Sequence, residues 1–317
     1  MTTLLPIKNS TNILLNASGV HCTTAEQMQE ILVANTTGVV SKSITVEARE
    51  GNIQPRYWDN GTISLNSMGL PNKGLEYYLE AITQLKKQPH QHIILSIAGL
   101  NLENNYSIFE KINAMPQIDA IELNLSCPNI ASHPIIAYNL PVFKEILTKV
   151  STICKKPLGV KLPPYFENHQ FDAVAEILNQ ATIQFITTIN SIPNALVVNP
   201  ATETTAIASN NGFGGLGGLF IKPTTLANVH QFYKRLKPEI SIIGCGGIQN
   251  GTDVFEHVLC GASYVQIGSQ IAMEGVATFE RINHEFQEIL AKKGYTTLDQ
   301  FRGKLKILES SNIHIII

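Results

Sequence analysis

The chain has 317 residues, and its 23 Lys and Arg against 25 Asp and Glu give a formal net charge of −2. Hydrophobic residues make up 44 % and charged residues 15 %, which excludes a disordered chain, a collagen-like fibre and a small disulfide scaffold. The near-neutral charge argues against an electrostatic nucleic-acid binder, so no nucleic-acid partner is expected. The length suits one large α/β barrel or two ordinary domains.

The cysteines and apolar segments indicate a cytoplasmic protein. The cysteines are odd in number and no two form a Cys-x-x-Cys pair, so we interpret them as reduced thiols rather than disulfides or zinc ligands. They are Cys22, Cys127, Cys154, Cys245 and Cys260. We find no signal peptide and no run of about 18 apolar residues, so neither a spanning helix nor a membrane partner is expected.

Short apolar runs alternate with helical patterns along the chain. The predicted strands are residues 13–18, 38–44, 93–99, 120–126, 157–163, 185–191, 240–247 and 264–269. The predicted helices are residues 24–33, 74–87, 140–150, 171–178, 223–236, 251–259 and 275–293. Thr24 and Gln27 have the spacing of a capping box at the start of the first helix. The strand runs are apolar throughout, which is typical of parallel strands buried on both faces.

This alternation predicts a single α/β domain over residues 1–317, a (β/α)8 TIM barrel. A two-domain doubly wound arrangement is the alternative, but no linker divides the chain. Residues 46–73 and 192–220 exceed ordinary loop length. We predict that both are long loops on the face of the barrel where active sites are built.

Two local motifs suggest ligands but lack the required context. Residues 212–217 match the dinucleotide fingerprint Gly-x-Gly-x-x-Gly, yet no strand precedes them and no acidic residue follows at a spacing of about 20. A glycine-rich loop near a phosphate, or a loop without a ligand, explains them better. His90 and His92 flank one residue without a third metal ligand nearby, which favours a solvated loop. No metal is predicted.

Polar residues collect where the predicted strands end. Cys127 follows the fourth strand and is either a thiol presented to a cavity as a base or a small buried hydrophobe. Lys161 lies within the fifth strand, where its charge is costly unless it meets an anion. Other strands end with Lys42, Ser43, Asn190, Ser191, Gly246, Gly247, Gly268 and Ser269. Six such ends together predict one polar cavity for anions, with a phosphate beside the glycines.

These motifs resemble the class 1A dihydroorotate dehydrogenases. The resemblance covers nearly the whole chain, and its motifs at 66–72 and 124–129 are specific. The first of them favours class 1A over class 1B and the membrane-bound class 2. The matching segments are residues 16–20, 49–52, 66–72, 124–129, 160–165, 215–218, 244–248 and 261–269.

The resemblance implies a soluble homodimer of the same barrel fold that contains FMN. Such an enzyme oxidises (S)-dihydroorotate to orotate in UMP biosynthesis and passes the electrons to fumarate, which becomes succinate. Cys127 would take the C5 proton while hydride leaves C6 for flavin N5, and Lys161 would face flavin N1 and O2. The implied substrate-binding residues are Lys42, Asn66, Met68, Gly69, Leu70, Asn124, Asn129, Asn190 and Ser191. The implied cofactor-binding residues are Ser18, Lys42, Ser43, Asn124, Lys161, Ile189, Gly218, Gly246, Gly247, Gly268 and Ser269.

Some segments depart from the family pattern. The predicted lid, about residues 128–139, lacks the family's Gly and Lys and carries His133, so we expect slower or more pH-sensitive turnover. Pro193 and Ala195 replace two glycines, and residues 312–317 have no counterpart. The alternatives to the dehydrogenase are a flavin barrel for another reduced pyrimidine or enoyl compound, a non-catalytic barrel binding FMN or phosphate, and an aldolase-type barrel without flavin.

Overall fold

The computed structural model describes residues 12–98, 102–126 and 135–308, without the side chains of 102–105. The strands of these segments are β1 (Leu14–Asn16), β2 (Gly38–Val40), β3 (Tyr57–Asp59), β4 (Ser64–Asn66), β5 (His92–Ile97), β6 (Ala120–Asn124), β7 (Leu158–Leu162), β8 (Phe185–Thr188), β9 (Ile192–Leu196), β10 (Val198–Asn199), β11 (Thr204–Thr205), β12 (Phe213–Gly217), β13 (Ser241–Cys245) and β14 (Tyr264–Ile267). The α-helices are α1 (Ala25–Val33), α2 (Leu75–Gln84), α3 (Leu102–Ile112), α4 (Leu140–Ile153), α5 (Asn168–Gln180), α6 (Lys222–Tyr233), α7 (Gly251–Cys260), α8 (Ser269–Glu274) and α9 (Ala277–Lys293).

The main sheet confirms the predicted barrel. Its eight strands follow the order β1-β14-β13-β8-β7-β6-β5-β2, and every hydrogen-bonded pair in it is parallel. Each predicted strand run coincides with one of these strands, and nearly all of their residues are buried. Buried parallel strands of this kind need apolar side chains on both faces, which is why the runs are continuous.

The side chain of Asn16 closes the ring between β1 and β2. Its Nδ2 donates to the Val40 carbonyl at 2.8 Å, and its Oδ1 accepts from the Val40 N–H, also at 2.8 Å. Two backbone bonds, from Thr37 N–H to the Leu14 carbonyl and from Ser43 N–H to the Ser18 carbonyl, support the same seam. A buried amide therefore takes the place of a strand ladder where the first strand meets the second.

The helices form the outer layer, with two differences from the prediction. Thr24 and Gln27 form the predicted capping box of α1. The prediction missed α3, whose first residue Leu102 is followed by three polar residues; the buried residues described in its second half are Ile108, Phe109 and Ile112. The predicted helix 275–293 is α9, which begins at Ala277, and the prediction missed the short helix α8 before it; Gly275, with a φ of +74°, separates the two.

The two stretches predicted as long loops meet in a second sheet. This antiparallel accessory sheet has the order β3-β4-β12-β9, so it joins residues 57–66 to residues 192–217. The glycine-rich motif is strand β12 rather than a loop, which corrects that prediction. The close approach is what requires glycine, since a Cβ at Gly215 would lie 2.1 Å from Ser191 Oγ.

The segment around His90 and His92 matches the predicted solvated loop only in part: His90 is exposed in a turn, but the residues after it are not. Gln91 is buried and donates to the carbonyls of Leu32 and Thr36 at 2.7 and 3.0 Å, and His92 begins β5. Over the described ranges, no three His, Cys, Asp or Glu side chains are grouped as metal ligands. None of the helices in those ranges is long and apolar enough to cross a membrane.

Candidate active site

A cavity of about 440 Å³ lies where the barrel strands end and the accessory sheet covers the ring. Residues from both sheets line it, as expected for a site built at the carboxyl ends of barrel strands. The predicted site residues found in its lining are Ser18, Lys42, Ser43, Asn66, Met68, Leu70, Asn124, Lys161, Ile189, Asn190, Ser191, Gly218, Gly246, Gly247, Gly268 and Ser269.

The remaining predicted residues fall into two groups. Gly69 is not among the lining residues: its carbonyl accepts from Arg49 Nε at 3.3 Å, and a Cβ there would lie 2.3 Å from Asn52 Oδ1. Cys127 and Asn129 lie outside the described residues, as do most of the predicted lid with His133 and the tail 312–317.

Amide and hydroxyl groups at the ends of β6 and β8 form one hydrogen-bonded chain just before Cys127. Asn124 Nδ2 donates to Ser43 Oγ at 3.0 Å, and its Oδ1 accepts from the N–H and hydroxyl of Ser126. Asn190 Nδ2 donates to Ser126 Oγ at 3.0 Å. The amides are thus held in fixed orientations before any ligand enters, which favours recognition of a flat polar molecule.

Lys42 and Lys161 are the buried cations of this cavity lining. Lys42 Nζ donates to the Gly19 carbonyl at 2.9 Å, while Lys161 Nζ donates to Ser18 Oγ at 3.4 Å and to Gln266 Oε1 at 3.3 Å. Both side chains are nearly inaccessible to solvent. Together with Ser18, Asn124 and Asn190 they make up what we call the lysine end of the cavity.

Glu122 supplies the negative charge behind Lys161. It is fully buried inside the barrel, where Gln266 Nε2 donates to Oε2 at 2.6 Å and Thr187 Oγ1 donates to the same oxygen at 2.8 Å. Because Gln266 also accepts from Lys161, its amide links the carboxylate to the ammonium. A buried charge without such a partner would be costly.

The surroundings of Lys161 keep it charged. Burial lowers the pKa of Lys161, but three acidic groups nearby, Cys245, Glu122 and Cys22, outweigh burial when ionised, so the pKa is raised overall. Burial also raises the pKa of both thiols, to about 11 for Cys22, so near neutral pH they are uncharged. Of these three groups, Glu122 therefore supports the Lys161 ammonium under physiological conditions.

Glycine backbone forms the opposite part of the lining, which we call the glycine end: Gly246, Gly247, Gly268 and Ser269. Gly246 and Gly247 have φ values of +130° and +71°. No hydrogen bond within the described part of the chain uses the N–H groups of Gly246, Gly247 or Gly268. N–H donors of a cavity lining that have no acceptor among the described residues suit an oxyanion such as phosphate.

Sequence reasoning missed several residues of the site. Glu122 could have been predicted from the sequence, because a buried carboxylate inside an apolar strand needs a charged or hydrogen-bonding partner just as the Lys161 ammonium does. His21, Tyr57, Ser64, Cys245 and Gln266 also line the cavity. Tyr57 and Ser64 lie on strands of the accessory sheet, and no local sequence pattern predicts that sheet.

The parallel barrel, with buried lysines and oriented amides at its strand ends and glycine N–H groups that have no partner among the described residues, is that of a TIM-barrel enzyme whose cavity suits anions. Comparison with known proteins gives the family. The family profile described as dihydroorotate dehydrogenase matches residues 1–290, and the chain belongs to this family.

Two curated relatives agree with this assignment. Dihydroorotate dehydrogenase A (fumarate) of Lactococcus lactis subsp. cremoris is 48% identical over 299 residues, which cover 94% of this chain and 96% of that protein. Dihydroorotate dehydrogenase (fumarate) of Saccharomyces cerevisiae is 47% identical over 296 residues, covering 93% and 94%. The solved ligand-free DHODH of Eimeria tenella shares the fold, with a TM-score of 0.80, 18% identity and coverage of 96% of this chain and 92% of that one.

Proposed function

We propose that the protein oxidises (S)-dihydroorotate to orotate in pyrimidine biosynthesis, with FMN as cofactor and fumarate as electron acceptor. Membership of the family implies a flavin in general terms. The observation that carries the proposal is the pairing of two different anion sites in one cavity. The lysine end suits a flat anionic ring, and the glycine end suits a phosphate.

The cofactor assignment rests on both ends of the cavity. Gly246, Gly247, Gly268 and Ser269 would hold the phosphate of FMN, with Gly218 nearby in the lining. Ser18, Ile189 and Lys161 would lie along its ring, and the fixed charge of Lys161 would stabilise negative charge there. When bound, the flavin supplies the acceptor for a hydride.

Substrate binding is assigned to the amides and the second lysine. Dihydroorotate is a small anion with several carbonyl and N–H groups, so it needs a cation and a set of oriented amides. Lys42 supplies the cation, and Asn66, Asn124 and Asn190 supply the amides, with Ser43 and Ser191 beside them. Met68 and Leu70 add apolar contacts to the ring. Asn129 completes the substrate-binding set by resemblance.

We assign Cys127 as the base that takes the proton from C5 while the hydride leaves C6. Two C–H bonds break, so the proton acceptor and the hydride acceptor must flank the substrate. Cys127 directly follows Ser126, whose hydroxyl contacts both Asn124 and Asn190. This position in the chain supports the role.

We also propose that the protein is a cytoplasmic homodimer that associates through the accessory sheet. Leu196 and Phe213 pair across β9 and β12, and both are exposed together with Tyr57 of β3. Exposed apolar side chains grouped on one sheet are typical of a protein–protein contact. Light scattering of wild type and Leu196→Glu tests this, and a monomeric wild type would contradict it.

A visible spectrum of the purified protein tests the function. The flavin absorption bands at ~450 nm should bleach on anaerobic addition of dihydroorotate and return when fumarate is added. Addition of NAD⁺ or a quinone in place of fumarate is the matched control, and neither should restore the bands as fast. A yellow protein that dihydroorotate does not bleach would overturn the proposed substrate. A colourless protein that takes up no added FMN would overturn the cofactor as well.

A further inference from the structure

His257 lies behind the glycine end, on helix α7. Its side chain is fully buried and is not part of the cavity lining. Its Nε2 is 3.2 Å from the Gly246 carbonyl oxygen. A carbonyl only accepts hydrogen bonds, so Nε2 must carry the proton in this contact.

The surroundings of the other ring nitrogen, Nδ1, agree with the tautomer that is protonated at Nε2. His257 Nδ1 is buried and has no hydrogen-bond partner among the residues that the structure describes. It packs on Gly244, where an added Cβ would lie 2.2 Å from it. Burial lowers the pKa of His257 to about 4, against smaller opposing effects of the Gly246 carbonyl and Asp253. Lys222 on α6 lowers it further, so the ring is neutral near neutral pH.

The contact with Gly246 sets the direction of the next N–H group. In a trans peptide the carbonyl of one residue and the N–H of the next point in opposite directions. Because His257 is not part of the cavity lining, its contact holds the Gly246 carbonyl on the side away from the cavity. We therefore infer that the Gly247 N–H points toward the cavity. Gly246 has close neighbours on its other side, since an added Cβ there would lie 2.6 Å from Thr225 Oγ1 and 2.8 Å from Ile221 Cδ1.

We propose that His257 is a positioning residue for the phosphate site: its Nε2–H holds the Gly246–Gly247 peptide with the N–H directed at the phosphate of the cofactor. This proposal rests on the proposed function, since that function supplies the phosphate. It predicts that His257 affects the binding of FMN and leaves the binding of riboflavin, which has the same ring without the phosphate, nearly unchanged.

Flavin affinities of the apoprotein test this, measured by quenching of flavin fluorescence. His257→Leu should weaken FMN binding about tenfold, the effect of losing one charge-assisted hydrogen bond, and change riboflavin binding by less than about twofold. His257→Gln, which keeps an N–H donor, should recover most of the loss.

His230 provides the matched control. Its Nδ1 also lies near a backbone carbonyl, that of Cys260 at 3.3 Å, the last residue of α7. His230→Leu should leave both affinities unchanged. Equal losses of FMN and riboflavin affinity in His257→Leu, or no loss of either, would overturn the proposal.

A measurement on the wild type does not depend on how the variants fold. Nitrogen-15 NMR of the histidines at pH 7 should show His257 protonated at Nε2, and protonation at Nδ1 would overturn the proposal. The wild-type affinities separate the two hypotheses. If the wild type binds neither flavin, or both equally, the proposed cofactor is wrong; if it prefers FMN and His257→Leu keeps that preference, only the role of His257 is wrong.

Discussion

The lysine end and the glycine end of the cavity present different hydrogen-bond donors. At the lysine end the donors are side chains, and a buried carboxylate, Glu122, supports the charge of Lys161 through Gln266. At the glycine end the donors are backbone N–H groups held by unusual φ values. The donors of the lysine end therefore depend on which polar side chains are present. The donors of the glycine end depend on backbone conformations and close contacts that only glycine allows. Substitutions at the two ends should fail in different ways, and four predictions test this.

The largest effect is expected at Cys127, which follows Ser126 in the sequence. Cys127→Ala should keep FMN bound, because the glycine end is unchanged, but slow its reduction by dihydroorotate ~10²–10⁴-fold, the usual contribution of a general base. Anaerobic stopped-flow absorbance measures this rate. Cys154→Ala, which changes a half-buried thiol outside the cavity lining, is the control. A wild-type rate in Cys127→Ala would contradict the assignment of the base.

The next largest effect is expected at Glu122. Glu122→Leu leaves the Lys161 ammonium without its partner and removes the acceptor of Thr187 and Gln266, so the free energy of unfolding should fall by ~3–5 kcal/mol. Urea unfolding of the apoprotein measures it. The control is Glu145→Leu, which breaks an exposed ion pair with Lys149 and should cost less than ~1 kcal/mol. Similar losses in the two variants would show that Lys161 does not depend on Glu122.

The glycine end should respond to pH through His257. Its pKa is about 4 in the folded protein, below the ordinary histidine value of 6.5, so between these values the unfolded chain binds more protons. The contribution of His257 is complete above pH 6.5 and is lost as the pH falls toward 4. It amounts to about 3 kcal/mol. The difference in unfolding free energy between wild type and His257→Gln, followed from pH 7 to 4, should show this decline. A constant difference would contradict it.

The smallest effect is expected at Gly247, where comparison with Gly275 distinguishes the cost of steric crowding from the cost of a positive φ. Gly247 and Gly275 have nearly equal positive φ values, but a Cβ at Gly247 would lie 2.4 Å from Lys222 Cβ and one at Gly275 meets nothing within 4 Å. Gly275→Ala should cost ~1–3 kcal/mol from backbone conformation alone, because its φ of +74° and ψ of −165° lie in a region that essentially only glycine occupies. Gly247→Ala should cost ~1–3 kcal/mol more from crowding. Thermal unfolding measures both, and equal costs would show that packing at Gly247 is loose.

The same contrast explains what the sequence predicted well. The barrel and most of the lysine end follow from local patterns, since a charge inside an apolar strand, as at Lys161, stands out in one stretch of chain. The glycine end was predicted from the glycines that follow β13 and β14. The resemblance added Asn66, Met68 and Leu70, which their own segment does not connect to the barrel.

Features that depend on distant pairing were missed. The accessory sheet joins β4 to β12 across roughly 150 residues, and neither strand alternates clearly enough to predict a partner. Helix α3 was missed because its first half is polar. His257 and Gln266 act through one hydrogen bond each to a group at the cavity, and spacing in a sequence does not reveal such contacts.

The seam made by Asn16 has a consequence for synthesis of the protein. Strand β1 pairs with β14, which emerges from the ribosome roughly 250 residues later, or about 10–50 s at typical rates of translation. Until then β1 has no strand ladder, since its contact with β2 is made mainly by one side chain. The ring therefore closes only when the chain is nearly complete. Gly268 and Ser269 directly follow β14, so the nascent chain has no flavin site for most of its time on the ribosome.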